Sequence, residues 1–283
     1  MSVMDIDPEW YEQIPRRVSR RRYDGRPVDA GARRQLEALC AGAGAPSGWP
    51  GRDALAPGDG TPAARMCLVD DPGQQLFTGL VGGYGKVAGT PLAAAFVGRA
   101  AAGGDVPEDV QAAAGWLGEA LVLEATRSGL GTCWIAGSFD KAAAADLVGL
   151  GDDEQVIAVT PLGHATPQQS GGERLLRTLV KASARLSVEK LAPGILDGGW
   201  PEWAVSAVQA VRLAPSGANR QPWRFRLLGG SLVMGRAEKL YWTAPIDFGI
   251  ARLHAELGAQ HAGVTGTWTR LPAPDVAAFT PAP

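Results

Sequence analysis

Arg17, Ser19 and Arg21 alternate in the run Ile14-Pro-Arg-Arg-Val-Ser-Arg-Arg-Arg-Tyr23, near the start of a chain of 283 residues. An extended segment would point all three side chains to one side. Two forked guanidiniums and a hydroxyl converging in this way suit a phosphate monoester. A guanidinium binds phosphate oxygens in pairs and keeps its charge at any relevant pH. Far along the chain stands Ala214-Pro-Ser-Gly-Ala-Asn-Arg-Gln-Pro-Trp223. Its small residues let backbone lie close to a flat ligand, while the amides of Asn219 and Gln221 read a polar edge. Taken alone, the basic run with Arg16, Arg20 and Arg22 also fits a solvated face or a nucleic-acid arm. The downstream loop decides for a small ligand.

Elements to carry these segments follow from periodicity. Asp29–Ala43 places Leu36, Leu39 and Cys40 at helical spacing behind an Asp cap. Arg65–Val69 and Leu92–Val97 read as strands, the first entering the Asp70-Asp-Pro-Gly73 turn. Glu108–Ser128 is the strongest helix, apolar nearly all round and stopped by Gly129, which predicts a place in the core. Gly131–Gly137 reads as a strand entering a turn, Asp140–Val148 as a helix and Gln155–Pro161 as a β-branched strand. Beyond the polar, Gly-rich stretch 166–172 come a helix at Glu202–Leu213, strands at Trp223–Leu228 and Ser231–Met234, and a helix at Asp247–Gly263. Trp223 is expected in the core, serving packing rather than ring stacking. From Leu271 the tail is rich in Pro and Ala and is expected to be irregular. Strands do not alternate cleanly with helices, so the class is α+β rather than a doubly wound sheet.

Composition narrows the function. With 46% hydrophobic and 20% charged residues, the chain reads as a globular protein with a full core. A net charge of -2 argues against a general nucleic-acid or membrane-surface binder. Cys40, Cys67 and Cys133 are odd in number and widely spaced, which supports neither a disulfide framework nor a zinc site. The acidic start lacks a secretory pattern and no apolar run reaches membrane-spanning length, so a cytoplasmic location is expected. His164, His254 and His261 are too dispersed for a metal centre. Gly82-Gly-Tyr-Gly-Lys86 has Val87 where a phosphate loop needs Ser or Thr, and no Gly-x-Gly-x-x-Gly follows a strand.

Arg-x-Ser-x-Arg-x-Tyr followed by Pro-Ser-x-x-Asn-x-Gln-Pro-Trp resembles the FMN-dependent nitroreductase family. In most members both motifs lie early in one short subunit, and FMN sits at a homodimer interface, touched by one motif from each subunit. Here the motifs are split. Gly44-Ala-Pro-Ser-Gly-Trp-Pro50 looks like a decayed loop, and Gly194–Pro201 carries no arginine-serine-arginine motif. The resemblance therefore implies a nitroreductase-like fold of two related halves, 1–170 and 171–283, fused as a pseudo-dimer with one complete site. It gives the FMN phosphate to Arg17, Ser19 and Arg21, and the ring to Pro215, Ser216, Gly217, Ala218, Asn219 and Gln221. Ile135, Ala136 and Gly137 resemble the segment whose backbone approaches flavin N5. Many members carry Glu where Ala136 stands, so backbone would serve here. Lys86 matches a lysine near the flavin pyrimidine, and Arg174 and Arg177 match extra phosphate contacts.

The implied activity is that of an FMN-dependent NAD(P)H oxidoreductase. NADH or NADPH is the transient reductant, and a nitroaromatic, quinone or similar small electron-poor molecule is the acceptor, in ping-pong order. FMN performs the redox step, so no side chain is assigned a catalytic role and no metal is required. The fusion lets a monomer be active. The same fold also serves dehalogenation, amine or azoline oxidation and flavin fragmentation, and a non-enzymatic flavin sensor is a further alternative.

Overall fold

A computed structural model describes residues 6–42, 63–77, 86–102, 104–166 and 184–283. A 3-10 turn at Pro8–Gln13, absent from the periodicity reading, opens the described chain and buries Trp10. Helix α1 (Ala30–Gly42) turns Leu36 inward. Strands β1 (Ala64–Asp70), β2 (Leu92–Arg99) and β3 (Glu154–Leu162) form an antiparallel sheet in that order, with a short helix α2 (Gly73–Leu76) after β1. Central strand β2 is buried on both faces, which is why it reads as a continuous apolar run. Leu92, Ala94 and Phe96 face the main core. Ala93, Ala95 and Val97 face a smaller one, shared with Tyr23, Cys133, Ile135 and Phe139.

Helix α3 (Glu108–Arg127) lies in the main core as its all-round apolar pattern predicts, with Leu117, Leu121 and Leu123 fully buried. Each such leucine contributes about 2 kcal/mol of apolar burial. Between α3 and β3 the chain crosses the outer face of the first sheet as segment 131–139 and helix α4 (Lys141–Val148), capped by Asp140. Segment 131–137 is not the regular strand its composition suggests. It touches the sheet only through single bridges, Gly131 to Gly163 and Ile135 to Val159 on the edge of β3 away from β2, and builds no continuous ladder there.

After a short helix α5 (Val188–Leu191) come α6 (Glu202–Arg212), β4 (Trp223–Leu228), β5 (Ser231–Arg236) and α7 (Ala244–His261). Helix α7 begins before Asp247, with Pro245 in its first turn, where a missing N–H costs nothing. The tail corrects the irregular reading: β6 (Gly266–Arg270) and β7 (Asp275–Pro281) complete a second antiparallel sheet, in the order β4-β5-β7-β6. Ala277 and Phe279 point inward at a period of two. Pro272 and Pro274 precede the strand and Pro281 ends it, so proline hides the pattern without breaking the ladder.

The two sheets repeat one plan. Each run is helix, strand, strand, long helix, then a returning strand, β3 or β7, that pairs antiparallel with the second strand; the second run inserts β6 before it. Each returning strand carries one extra residue, Ile157 or Val276, at a register shift. Each sheet is also bound by a two-toothed ion pair across its central strand, Arg65 with Glu154 and Arg226 with Asp275. The long helices cross reciprocally. A side chain on Gly115 would strike the carbonyl of Ile246, three residues before Gly249, and one on Gly249 would strike that of Ala112, three before Gly115. Only glycine permits that approach.

Candidate functional site

Residues 17–23 run as an extended thread between two neighbours. On one side Ser19 bridges Thr132, and the Arg20 N–H donates to the Thr132 carbonyl at 2.7 Å. On the other, the Ala88 N–H donates to the Arg21 carbonyl at 3.0 Å, two residues from Lys86. Downstream, the Thr166 N–H donates to the Arg22 carbonyl. The thread is thus laid against the segment that leads to Ile135–Gly137, against the neighbourhood of Lys86, and against the exit of β3.

Arg17 is the buried member of the motif. Its guanidinium Nε lies 3.8 Å from Glu119 Oε1 and has no hydrogen-bond partner among the described residues. Glu119 is itself fully buried and heavily engaged. It accepts from Trp134 Nε1 at 2.7 Å and meets His254 Nε2 at 3.0 Å, while the other ring nitrogen of His254 lies 3.1 Å from the Ala210 carbonyl. One carboxylate therefore ties the arginine thread, the residue before Ile135 and two helices of the second run. Glu119 is the carboxylate Arg17 meets among the described residues, and a buried guanidinium offset from it leaves Nε as a donor for an anion.

The Pro215–Gln221 loop is held in a costly shape. Ala218, Asn219 and Gln221 all have positive φ, at 48°, 55° and 49°. Asn tolerates that region; Ala and Gln pay roughly 1 kcal/mol each for it. Three devices hold the loop. Ser216 Oγ accepts the Gln221 N–H at 2.9 Å. The Gly217 N–H donates to both oxygens of buried Asp247, at 3.0 and 3.2 Å. Any side chain on Gly217 would collide with Thr243. Burial pushes the Asp247 carboxyl up to about 8, against the pull of the Gly217 N–H and the Thr243 hydroxyl.

Arg185 joins the two motifs. Its guanidinium donates to the Asn219 side-chain oxygen and, at 3.3 Å, to the Leu213 carbonyl. Burial, followed by the positive charges of Arg17 and Arg212, pushes it down to about 10. The loop's amides hold the same segment: Asn219 Nδ2 donates to the Ala184 carbonyl at 2.7 Å, and Gln221 Oε1 accepts the Leu186 N–H at 2.9 Å. A second link runs through Trp242 and Thr243. The benzo edge of Trp242 stands 2.8 Å from where a Gly137 Cβ would be, and Thr243 packs on Gly217.

The structure thus brings Arg17, Ser19, Arg21, Ile135, Ala136, Gly137 and the 215–221 loop into one connected region, with Lys86 exposed beside it. Arg174, Arg177 and the decayed loop at 44–50 lie outside the described residues. Trp223 is fully buried and serves packing, as expected. Glu119, Arg185, Trp242, Asp247 and His254 were missed. Each acts through a partner remote in sequence, and only the buried-type helix around Glu119 hinted at an acid needing partners.

Comparison with known proteins agrees in kind. A family model described as "Putative TM nitroreductase" matches residues 93–259, more than half of the chain. A structure from Thermotoga maritima MSB8, described as a "putative nitroreductase", aligns over 97% of this chain and 94% of its own, with 20% identity and a TM-score of 0.59. An FMN-dependent nitroreductase from Clostridium difficile R20291 aligns over 56% of this chain and 88% of its own, at 16% identity and a TM-score of 0.39. For a nitroreductase family protein from Streptococcus pneumoniae TIGR4 the shares are 64% and 96%, at 16% identity and a TM-score of 0.43. No curated protein matches the chain. Among the described residues no helix is long and apolar enough to cross a membrane.

Proposed function

The chain belongs to the nitroreductase family, and from that premise we propose that it is an FMN-dependent NAD(P)H oxidoreductase with one flavin site per chain. When bound, FMN supplies the redox chemistry, taking hydride from NADH or NADPH and reducing an electron-poor small molecule. The observation that carries the reading is Arg17, a guanidinium only 9% exposed whose Nε lacks a hydrogen bond and which shares its surroundings with Arg185. Two like charges there, Arg17 beside the Glu119 carboxylate and Arg185 held by the Asn219 side-chain oxygen and the Leu213 carbonyl, fit a phosphate monoester. Each charge-assisted bond to it is worth about 1.5–3 kcal/mol.

The remaining residues bind, orient and shape. Ser19 and Arg21 extend the phosphate cradle along the thread. Backbone at Ile135–Gly137 borders the redox edge of the ring, with no carboxylate at Ala136 to compete for it. The strained Pro215–Gln221 loop, fixed by Asp247, presents backbone to the ring's flank. Exposed Gly137 leaves that edge open to a second molecule, which favours turnover over an enclosed sensor. The single site per chain is favoured by the second run itself. Between α7 and β7, the strand equivalent to β3, it has residues 262–274, which form the edge strand β6 rather than a segment laid across the sheet as 131–139 is.

The test is direct. Purified or reconstituted protein should show flavin absorbance, release a chromophore with the mass of FMN, and oxidise NADH or NADPH. Release of FAD, or no flavin uptake, would end the reading.

A further inference from the structure

Three consecutive large hydrophobics, Leu240, Tyr241 and Trp242, stand exposed just before α7, and Trp242 is the extreme case at 63% beside Leu240 at 39% and Tyr241 at 44%. Isolated exposed aromatics need no explanation, but these three sit at the edge of the candidate site. The Trp242 benzo edge leans over Gly137, 2.8 and 3.3 Å from the place of a Cβ there. Its neighbour Thr243 packs on Gly217 of the strained loop. Its other neighbour, Tyr241, carries the Arg220 guanidinium stacked on its ring at 4.1 Å. The short 240–243 stretch therefore spans from the backbone beside the redox edge to the loop at the ring's flank. A large apolar side chain held there leaves water-exposed area that a flat molecule would cover.

We propose that Trp242 is the acceptor platform of this enzyme, and that it selects planar, electron-poor aromatic acceptors, with Arg220 at its rim taking their anionic substituents. An electron-rich indole face stacks best on an electron-poor ring, and a guanidinium beside it pairs with carboxylate or nitro oxygens. Gly137 is required because any side chain there would displace the indole. The proposal rests on the flavin reading for its meaning as an acceptor site, but the platform itself can be measured without turnover.

The probe is 4-nitrobenzoate, titrated calorimetrically into wild-type protein and the variants Trp242→Ala and Trp242→Phe, with and without FMN. Loss of one aromatic stack should weaken 4-nitrobenzoate about tenfold in Trp242→Ala, and Trp242→Phe should restore most of it. In steady state the Trp242→Ala loss should fall on KM for planar nitroaromatics, lowering their kcat/KM about tenfold relative to that for ferricyanide, which has no ring to stack. Flavin content should match wild type. Equal probe binding in Trp242→Ala and wild type overturns the platform, as does a rise in KM confined to NADH or NADPH. Wild-type protein that binds 4-nitrobenzoate but takes up no FMN overturns the flavin reading instead, so the two failures are separable.

Discussion

The first and second sheets share a plan but bury it differently. The first is covered on both faces, by α3 within and by segment 131–139 with α4 without. The second is covered on one face, and its other face carries exposed Arg226, Leu228, Thr267 and Thr269. The cause is one connection. Twenty-six residues, 128–153, separate α3 from β3, whereas thirteen, 262–274, separate α7 from β7, the strand that corresponds to β3, and five of these form β6. The longer connection builds the second core layer and lays Gly131 and Thr132 beside the arginine thread. The two runs thus share a plan and differ in what they present, the first a second core layer, the second a strained loop and an exposed indole.

That division is broken most sharply by counting flavins. Titration should reach one FMN per chain; two would mean that the short connection after α7 floors a site after all. Arg17→Ala with Arg21→Ala should give folded protein whose FMN affinity falls by orders of magnitude, since two charge-assisted phosphate bonds are lost. Undiminished flavin content in that double variant would move the phosphate away from the first run.

Next in size are the reciprocal glycines, where the two runs ought to behave alike. Gly115→Ala and Gly249→Ala each drive a methyl into a facing carbonyl, so each should lower stability by about 3 kcal/mol in denaturant unfolding. Similar losses fit two equivalent helices. A tolerated substitution at one position alone would break the equivalence.

Much of this architecture is legible in residues whose neighbours in sequence are also their neighbours in space. Helix α3 announces itself by period and composition, and β2 by a continuous apolar run. The arginine thread and the Pro-Ser-Asn loop show themselves because each motif is local. What joins them is not local. Arg185 follows a polar stretch and looks like a surface cation until it meets Asn219. Glu119 and His254 lie on different helices and become partners only when those helices cross. Strands β6 and β7 are concealed by proline and alanine, because composition speaks louder than the alternation of Ala277 and Phe279. Segment 131–137 reads as a strand from its residues, yet it meets the free edge of β3 only through isolated bridges, a path its residue types do not show.

The loop that the second run contributes should respond to pH through Asp247. Its carboxyl sits near 8 when folded, against an ordinary carboxylate value when unfolded, because burial outweighs the Gly217 N–H and Thr243 hydroxyl. A raised acid gives stability that is full below its unfolded pKa and is lost as pH rises through the folded one. From about pH 4 to about pH 8 this group alone should lower stability with rising pH, by up to about 1.4 kcal/mol per unit. Asp247→Asn should flatten that slope in unfolding measured across the range. A slope unchanged by the substitution would mean that Asp247 titrates as an ordinary exposed acid.

The smallest expected difference is also the closest like-for-like test of the two sheets. Arg65 and Glu154 pair at 2.7 and 2.6 Å across β2, with side chains 26% and 11% exposed. Arg226 and Asp275 pair at 2.6 and 2.7 Å across β5, with side chains 50% and 19% exposed. Geometry is the same in both, so water decides. Solvent screens the second pair more, and Arg226→Ala should cost under about 1 kcal/mol and less still in high salt. Arg65→Ala leaves Glu154 more enclosed without its partner, so its cost should be larger, about 1–3 kcal/mol, and less sensitive to salt. Both arginines hold their acids below the usual carboxylate range. Each pair's contribution is therefore present above the acid's unfolded pKa and lost as pH falls through its folded one. Denaturant unfolding of both variants at low and high salt measures the difference. Equal costs would show that the second cover over the first sheet does not keep water from its ion pair, and the contrast between the two sheets would then rest on the flavin site alone.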